Sequence, residues 1–418
     1  MKNIEREIYL NKLIESKENP MVKVITGIRR CGKSYLLFVL YYNYLLSIGI
    51  EDDRIIKISL DLDENEYLRE AKVLGAYIRE QIKDKDMYYV FLDEIQYVEH
   101  FEPLLNGINN IKNVDLYVTG SNSKFLSTDI LTEFRGRGDE IRVYPLSFSE
   151  FLSAHLGAKE EAWLEYFTYG GLPTIISLKT DEQKSNYLNT QFEKTYISDI
   201  IERNNLQKDN VLESLINMLA SSVGSLTNPT KIANSFDSSG IKGVSDKTIS
   251  TYINHLIEAF MINKVERYDI KGKKYISTPS KYYFSDVGLR NARLNFRQRE
   301  ENHIMENIIY NELLVRGYNV DVGIVEHMTT DSKGKKIRKQ LEVDFVCNQG
   351  SKRYYIQSAF SIPDSKKMEQ EQNSLVRIND SFKKIIVVKD NIKLWRNEQG
   401  IVIMGLQEFL LNKNSLDL

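Results

Sequence analysis

Cysteine is nearly absent from the chain: Cys31 and Cys347 are the only two in 418 residues. Two are too few for a disulfide framework or a zinc site, and they fit a reducing, cytoplasmic compartment. Long apolar runs are missing as well. No stretch approaches the ~20 residues of a membrane span, and the opening MKNIEREIYLNKL is too charged for a signal peptide, so no membrane partner is expected. Excess charge of one sign is also lacking. Lys and Arg number 56 against 58 Asp and Glu, a net charge of -2, which argues neither for nor against a polyanionic partner. Heptads, repeat periods and low-complexity tracts are absent too. What remains is an ordinary folded composition, 42% hydrophobic, with length for two to four domains at ~100–200 residues each.

The most informative stretch is VKVITGIRRCGKSYLL, Val22 to Leu37. A β-rich run feeds the spacing G-x-x-x-x-G-K-S, and a helical pattern follows, which is a P-loop in its required strand, loop and helix context. The predicted cradle is Gly27, Ile28, Arg29, Arg30, Cys31, Gly32, Lys33, Ser34 and Tyr35. Glycines let backbone N–H groups wrap phosphate oxygens, Lys33 reaches the β/γ-phosphates, and Ser34 offers its hydroxyl to Mg²⁺. ATP and Mg²⁺ are the expected ligands. Cys31, just before the phosphate-binding helix, reads either as a small residue fitting a tight loop or as a thiol of lowered pKa that ATP would protect from alkylation.

Short strands alternate with helices on either side, the signature of a parallel α/β sheet. An amphipathic helix at Ile4 to Ile14 is expected beside the nucleotide base. The run MYYVFL ends in Asp93 and Glu94, and at the C-terminal edge of a parallel sheet both carboxylates fall in the ligand crevice. Asp93 is expected to hold Mg²⁺ and Glu94 to polarise the attacking water. A further strand, VDLYVT, ends at Ser121 and Asn122; Asn122, with Ser121 behind it, can touch the γ-phosphate or serve instead as a helix cap. In FRGRGDEIRV, Arg135 and Arg137 lie between glycines, either stabilising phosphoryl-transfer charge from the same chain or a neighbour, which would imply a homo-oligomer, or simply solvated.

In this order, GIRRCGKSYLL, VFLDEIQ, TGSNS, the F-x-G-R loop and YPLSFSEF resemble the bacterial and archaeal AAA+ ATPases whose C-terminal half is a domain of unknown function. These are relatives of the archaeal AAA ATPases and the origin-recognition clade. The resemblance runs essentially end to end, and no departure is visible in these motifs. It implies an ASCE-type P-loop sheet in which Lys33 and Ser34 bind phosphate and Mg²⁺, Asp93 and Glu94 are the Walker B pair, Asn122 lies at sensor 1 and Arg137 at the family's glycine-arginine. Residues 151–205, broken by the YGGLP turn at Tyr169 to Pro173, look like the helical lid that follows the 1–150 core.

Helical patterns at Val211 to Ser222, Thr230 to Phe236 and Ser245 to Phe260, then strands flanking a lysine-rich turn, read as a winged helix over 206–290. The third helix turns Ile249, Ile253, Leu256, Ile257 and Phe260 inward and Lys247, Thr248, Thr251, Tyr252 and Asn254 outward. Duplex DNA is the expected partner of that helix and of a Lys264 to Lys281 wing, with protein docking as the alternative. From Lys264 to Arg299 ten basic residues face three acidic ones, and a basic face is expected to begin there. The remainder, 291–418, resembles a PD-(D/E)xK nuclease fold, with Glu306 and Asp344 in place but Gln357 and Ala359 where the second acid and the lysine belong. A binding or docking role is therefore expected over nuclease activity, unless a lysine from elsewhere, such as Lys352 or Lys366, replaces the missing one. The run Lys333, Lys335, Lys336, Arg338, Lys339 reads as a hairpin tip open to phosphates or as a solvated turn.

Overall fold

The computed structural model describes residues 4–121, 138–204, 206, 210–297, 300–330 and 334–418. Asn122, Arg135 and Arg137 fall outside them, as does Lys333. The chain forms two compact units: Met1–Leu146 with Leu172–Ser177 and Glu258–Phe260, and Ser147–Gly171 with Leu178–Ile257 and Met261–Leu418.

The first unit is a five-stranded sheet in the order β2-β3-β4-β1-β5. The strands are β1 (Val22–Thr26), β2 (Ile55–Ser59), β3 (Tyr88–Asp93), β4 (Val114–Gly120) and β5 (Gly138–Arg142), and every pairing is parallel. β1, β3 and β4 are buried along their whole length, whereas the edge strands β2 and β5 each carry exposed positions. A parallel sheet covered on both faces requires such continuous apolar runs in its centre. The helices are α1 (Glu7–Glu15), α2 (Lys33–Tyr35), α3 (Tyr42–Ser47), α4 (Ala71–Gln81) and α5 (Phe101–Asn109), with a π-helical stretch at Leu36–Tyr41 joining α2 to α3. The expected parallel α/β architecture is present.

The second unit opens with helices α6 (Phe148–Ala154), α7 (Lys159–Tyr169), α8 (Asp181–Thr190), α9 (Ser198–Arg203), α10 (Asn210–Ser221), α11 (Pro229–Ser238) and α12 (Asp246–Glu258). Ser245 caps α12 as its sequence suggests, accepting from the Thr248 N–H at 3.1 Å. An eight-stranded sheet follows in the order β12-β13-β11-β10-β9-β8-β6-β7. Its strands are β6 (Ile262–Asp269), β7 (Lys274–Phe284), β8 (Asn319–Thr330), β9 (Lys336–Gln349), β10 (Lys352–Ala359), β11 (Lys383–Val388), β12 (Trp395–Arg396) and β13 (Val402–Gly405). Helices α13 (Val287–Arg293), α14 (Glu301–Val315), α15 (Ser365–Val376) and α16 (Leu406–Leu411) accompany it.

Three expectations about this unit change. β6 and β7 form the antiparallel hairpin expected of a wing, but β6 also pairs in parallel with β8. The hairpin is thus the edge of the large sheet and not a free ribbon, because the backbone groups along β6 gain a second set of partners there. The basic run is not one face: Lys281 and Arg290 are 2% and 1% exposed, and Arg293 pairs with Glu193 at 2.6 Å and Glu213 at 3.4 Å. Lys264, Lys271, Lys273 and Lys274 do stay exposed. Tyr252, expected to face outward, is buried with Ile249 and Ile253, since a ring that size covers more core than a helix boundary position can leave in water.

The YGGLP turn is explained by close packing. A Cβ on Gly170 would meet the Asp286 carboxylate at 2.2 Å, and one on Gly288 would meet the Tyr169 carbonyl oxygen at 2.0 Å. Asp286 caps α13, accepting from Leu289 N–H at 3.0 Å and from Gly171 N–H at 2.7 Å. Burial pushes its carboxyl up to about 6 despite those bonds.

Candidate functional site: the P-loop edge of the parallel sheet

The C-terminal ends of β1, β3 and β4 are neighbours, which brings the loop after β1 beside Asp93 and Thr119. The loop follows its sequence closely. Gly27 and Gly32 take φ of 141° and 101°, and Arg30 takes 63°. Gly27 has a second reason to be glycine: a Cβ there would lie 2.1 Å from the Val143 carbonyl oxygen. Ile28 and Cys31 are buried and Arg30 is exposed, so the first two can offer a ligand only their backbone. Cys31 Sγ donates to Val143 O at 3.4 Å. Burial raises its thiol pKa, loss of water outweighing the nearby positive charge, which favours the reading of Cys31 as a small residue fitting a tight loop over that of a lowered-pKa thiol.

Lys33 is 3% exposed. Its Nζ donates to Gly27 O at 3.1 Å and Ile28 O at 3.4 Å, and lies 3.9 Å from Glu94 Oε1. Among the described residues the ammonium therefore hydrogen-bonds to neutral carbonyls, with the Glu94 carboxylate at 3.9 Å and the Asp93 charge nearby, an arrangement that an incoming anion can improve upon. Asp93, 4% exposed, accepts from the Thr119 hydroxyl and is hydrogen-bonded by Ser34. Burial, and secondarily the Glu94 charge, raise its pKa, while Thr119, Ser34 and Lys33 oppose the rise. A buried carboxylate beside a hydroxyl at the start of a helix is a donor set that fits a hard divalent cation.

Glu94 has φ 53°, uncommon for a non-glycine residue. Its N–H donates to Thr119 Oγ1 at 2.9 Å, and its carboxylate accepts from Gln96 Nε2. Gln96 Nε2 also reaches Ser121 Oγ at 3.4 Å, and its Oε1 is buried with no hydrogen-bond partner among the described residues. The structure thus brings Lys33, Ser34, Asp93, Glu94 and Ser121 together. Asn122 and Arg137 lie outside the described residues. Sequence reasoning passed over Thr119, which anchors both acids, and Gln96, which orients Glu94. Their only signals were a threonine closing the VDLYVT strand and an amide two residues past the paired acids.

Among the described residues no helix is long and apolar enough to cross a membrane. Residues 19–152 match the model of a family described as an AAA domain, and residues 160–300 match a domain of unknown function. An uncharacterized protein of Haemophilus influenzae is 36% identical over 390 residues, covering 92% of this chain and 93% of that one. An uncharacterized protein of Methanocaldococcus jannaschii is 29% identical over 384 residues, covering 88% of this chain and 79% of that one. Among solved structures, the Orc1 protein of Aeropyrum pernix in complex with DNA aligns with 69% of this chain and 92% of its own at 13% identity and a TM-score of 0.33. The chain therefore belongs to the same family as the Haemophilus influenzae protein, and its N-terminal part is a P-loop AAA+ domain.

Proposed function

We propose that the chain binds and hydrolyses Mg-ATP at the P-loop edge and couples nucleotide state to duplex DNA. The observation that carries the nucleotide half is Lys33, buried yet hydrogen-bonded among the described residues only to carbonyls, facing Glu94 across 3.9 Å. Backbone N–H groups of residues 28–34 and the Lys33 ammonium would hold the phosphates. Ser34 and Asp93 would hold Mg²⁺, which when bound supplies neutralising charge to the phosphate oxygens. Glu94, fixed by Thr119 and Gln96, would orient and polarise the attacking water. Asn122 at the γ-phosphate and Arg137 as a charge stabiliser, in cis or in a homo-oligomer, complete the proposed site.

The DNA half rests on α12, whose Lys247, Thr251 and Asn254 are exposed and Thr248 partly so, and on Lys264, Lys271, Lys273 and Lys274 of the β6–β7 hairpin. In this reading the helix enters the major groove and the hairpin lysines lie on phosphates. A second reading, a nucleotide-gated protein scaffold with little turnover, is favoured by the burial of Lys281 and Arg290, which removes two cations from the expected DNA face. The decisive measurement is the ATPase rate per subunit against protein concentration, with and without duplex DNA, beside fluorescence anisotropy on the same DNA at two salt concentrations. Mg-dependent turnover stimulated by DNA, and binding that weakens with salt, support the first reading. Absence of DNA binding even at low salt selects the scaffold, and Lys33→Ala turning over ATP at the parent rate overturns the site.

A further inference from the structure

The second unit buries another lysine, in very different company. Lys281 Nζ lies 2.8 Å from Glu306 Oε1 on α14, and on β9 it lies 2.7 Å from Glu342 Oε1 and 3.7 Å from Asp344 Oδ1. Two further donors serve these acids: the Tyr283 hydroxyl donates to Glu306 Oε1 at 2.5 Å, and Ser358 N–H donates to Asp344 Oδ2 at 2.8 Å. Gln357, one register step beyond the Ile356–Phe345 pair and therefore beside Asp344 across the strands, has a buried Oε1 with no hydrogen-bond partner among the described residues. Three carboxylates converging on one buried point are costly unless a cation sits among them. Carboxylate oxygens are also what a hard divalent cation seeks, yet here the place is held by the chain's own ammonium.

We propose that Lys281 is the resident cation of this carboxylate centre, closing to divalent metals a site that its removal would open. The alternative donors fit that assignment. With the ammonium in the middle, Glu306 and Glu342 are drawn to hydrogen-bonding distance from nitrogen and Asp344 stands farther off, and among the described residues no group of three or more His, Cys, Asp or Glu is arranged for a metal. Gln357 adds a neutral oxygen and Ala359 nothing. The sheet's centre is then a structural clamp joining β7, α14 and β9, and not a metal-dependent hydrolytic site. Glu342 is the member that gives the clamp its tightest contact, and it sits two residues before Asp344 on the same strand face.

The experiment is Mn²⁺ binding to the full chain without nucleotide, followed by the loss of free-ion electron paramagnetic resonance signal, for the parent, Asp344→Asn, Lys281→Met and the Lys281→Met/Asp344→Asn double variant. The parent and Asp344→Asn should bind equally, Lys281→Met should bind one further Mn²⁺ roughly tenfold or more tightly than any parent site, and the double variant should lose it. The parent–Asp344→Asn pair needs no lysine variant. Asp344 is the most distant of the three carboxylates, 3.7 Å from Lys281 Nζ, and asparagine has the same shape and keeps an oxygen for the Ser358 N–H, so the fold should tolerate it. Mn²⁺ bound by the parent and lost in Asp344→Asn overturns the proposal by making the centre a metal site. A folded Lys281→Met that gains no Mn²⁺ overturns it by making the cluster a plain ion-pair network.

Discussion

The two units each bury a lysine among acids, and the two ammonium groups are compensated in different ways. Lys33 touches two carbonyl oxygens and stands 3.9 Å from its nearest carboxylate. Lys281 has two carboxylates within 2.8 Å and a third at 3.7 Å. Both are almost wholly out of water, so burial alone does not mark function. What distinguishes them is unsatisfied demand: the Lys33 charge is under-compensated until an anion arrives, while the Lys281 charge is surrounded.

The comparison breaks most visibly at turnover. Lys33→Ala should lower ATP hydrolysis by ~10²-fold or more, the loss typical of one preorganised donor to developing charge, with the thermal unfolding midpoint little changed. A parent-like rate in a phosphate-release assay would remove the distinction. Glu94→Gln should retain nucleotide binding while the single-turnover rate falls ~10²-fold or more. Lys281→Ala should act in the opposite sense, leaving turnover and costing about 3–5 kcal/mol of stability by stranding buried carboxylates, read by denaturant unfolding.

The acid cluster also sharpens the comparison through pH. Asp344 titrates at about 8 in the folded chain against an ordinary value of 3.8, because burial and the facing Glu306 and Glu342 outweigh Lys281. The folded state therefore keeps a proton that the unfolded state has released. That contribution to stability is whole below about 4 and is lost as pH rises toward 8. Asp344→Asn should flatten that part of the stability profile; an unchanged slope would mean the carboxyl is not held protonated. The smallest effect expected is on DNA: Lys247→Glu should weaken duplex binding a few-fold and reduce the salt slope by about 1, measured by anisotropy, without touching ATP hydrolysis in the absence of DNA.

Most of the first unit was legible in the chain. VKVIT, YYVFLD and VDLYVTG announce buried parallel strands by their mostly apolar character, the interrupting Lys23 and Asp115 pairing with each other inside, and the paired acids fall where such strands end. Thr119 and Gln96 were not legible, since their roles depend on β4 lying beside β3 and on the positive φ of Glu94. In the second unit the helices and most strands followed their periodicity, but the wing did not stay separate. The parallel pairing of β6 with β8 joins segments about fifty residues apart, and local pattern carries no information on such partners.

By itself, then, the sequence determined the phosphate cradle, because glycine positions, a following helix and a lysine at fixed spacing are local requirements that the backbone meets wherever the segment folds. Only the tertiary structure decided which basic residues reach solvent. Lys264, Lys271 and Lys281 look alike along the chain. The sheet turns the first two to solvent and drives the third among Glu306, Glu342 and Asp344, where charge that cannot reach water must find its partners inside.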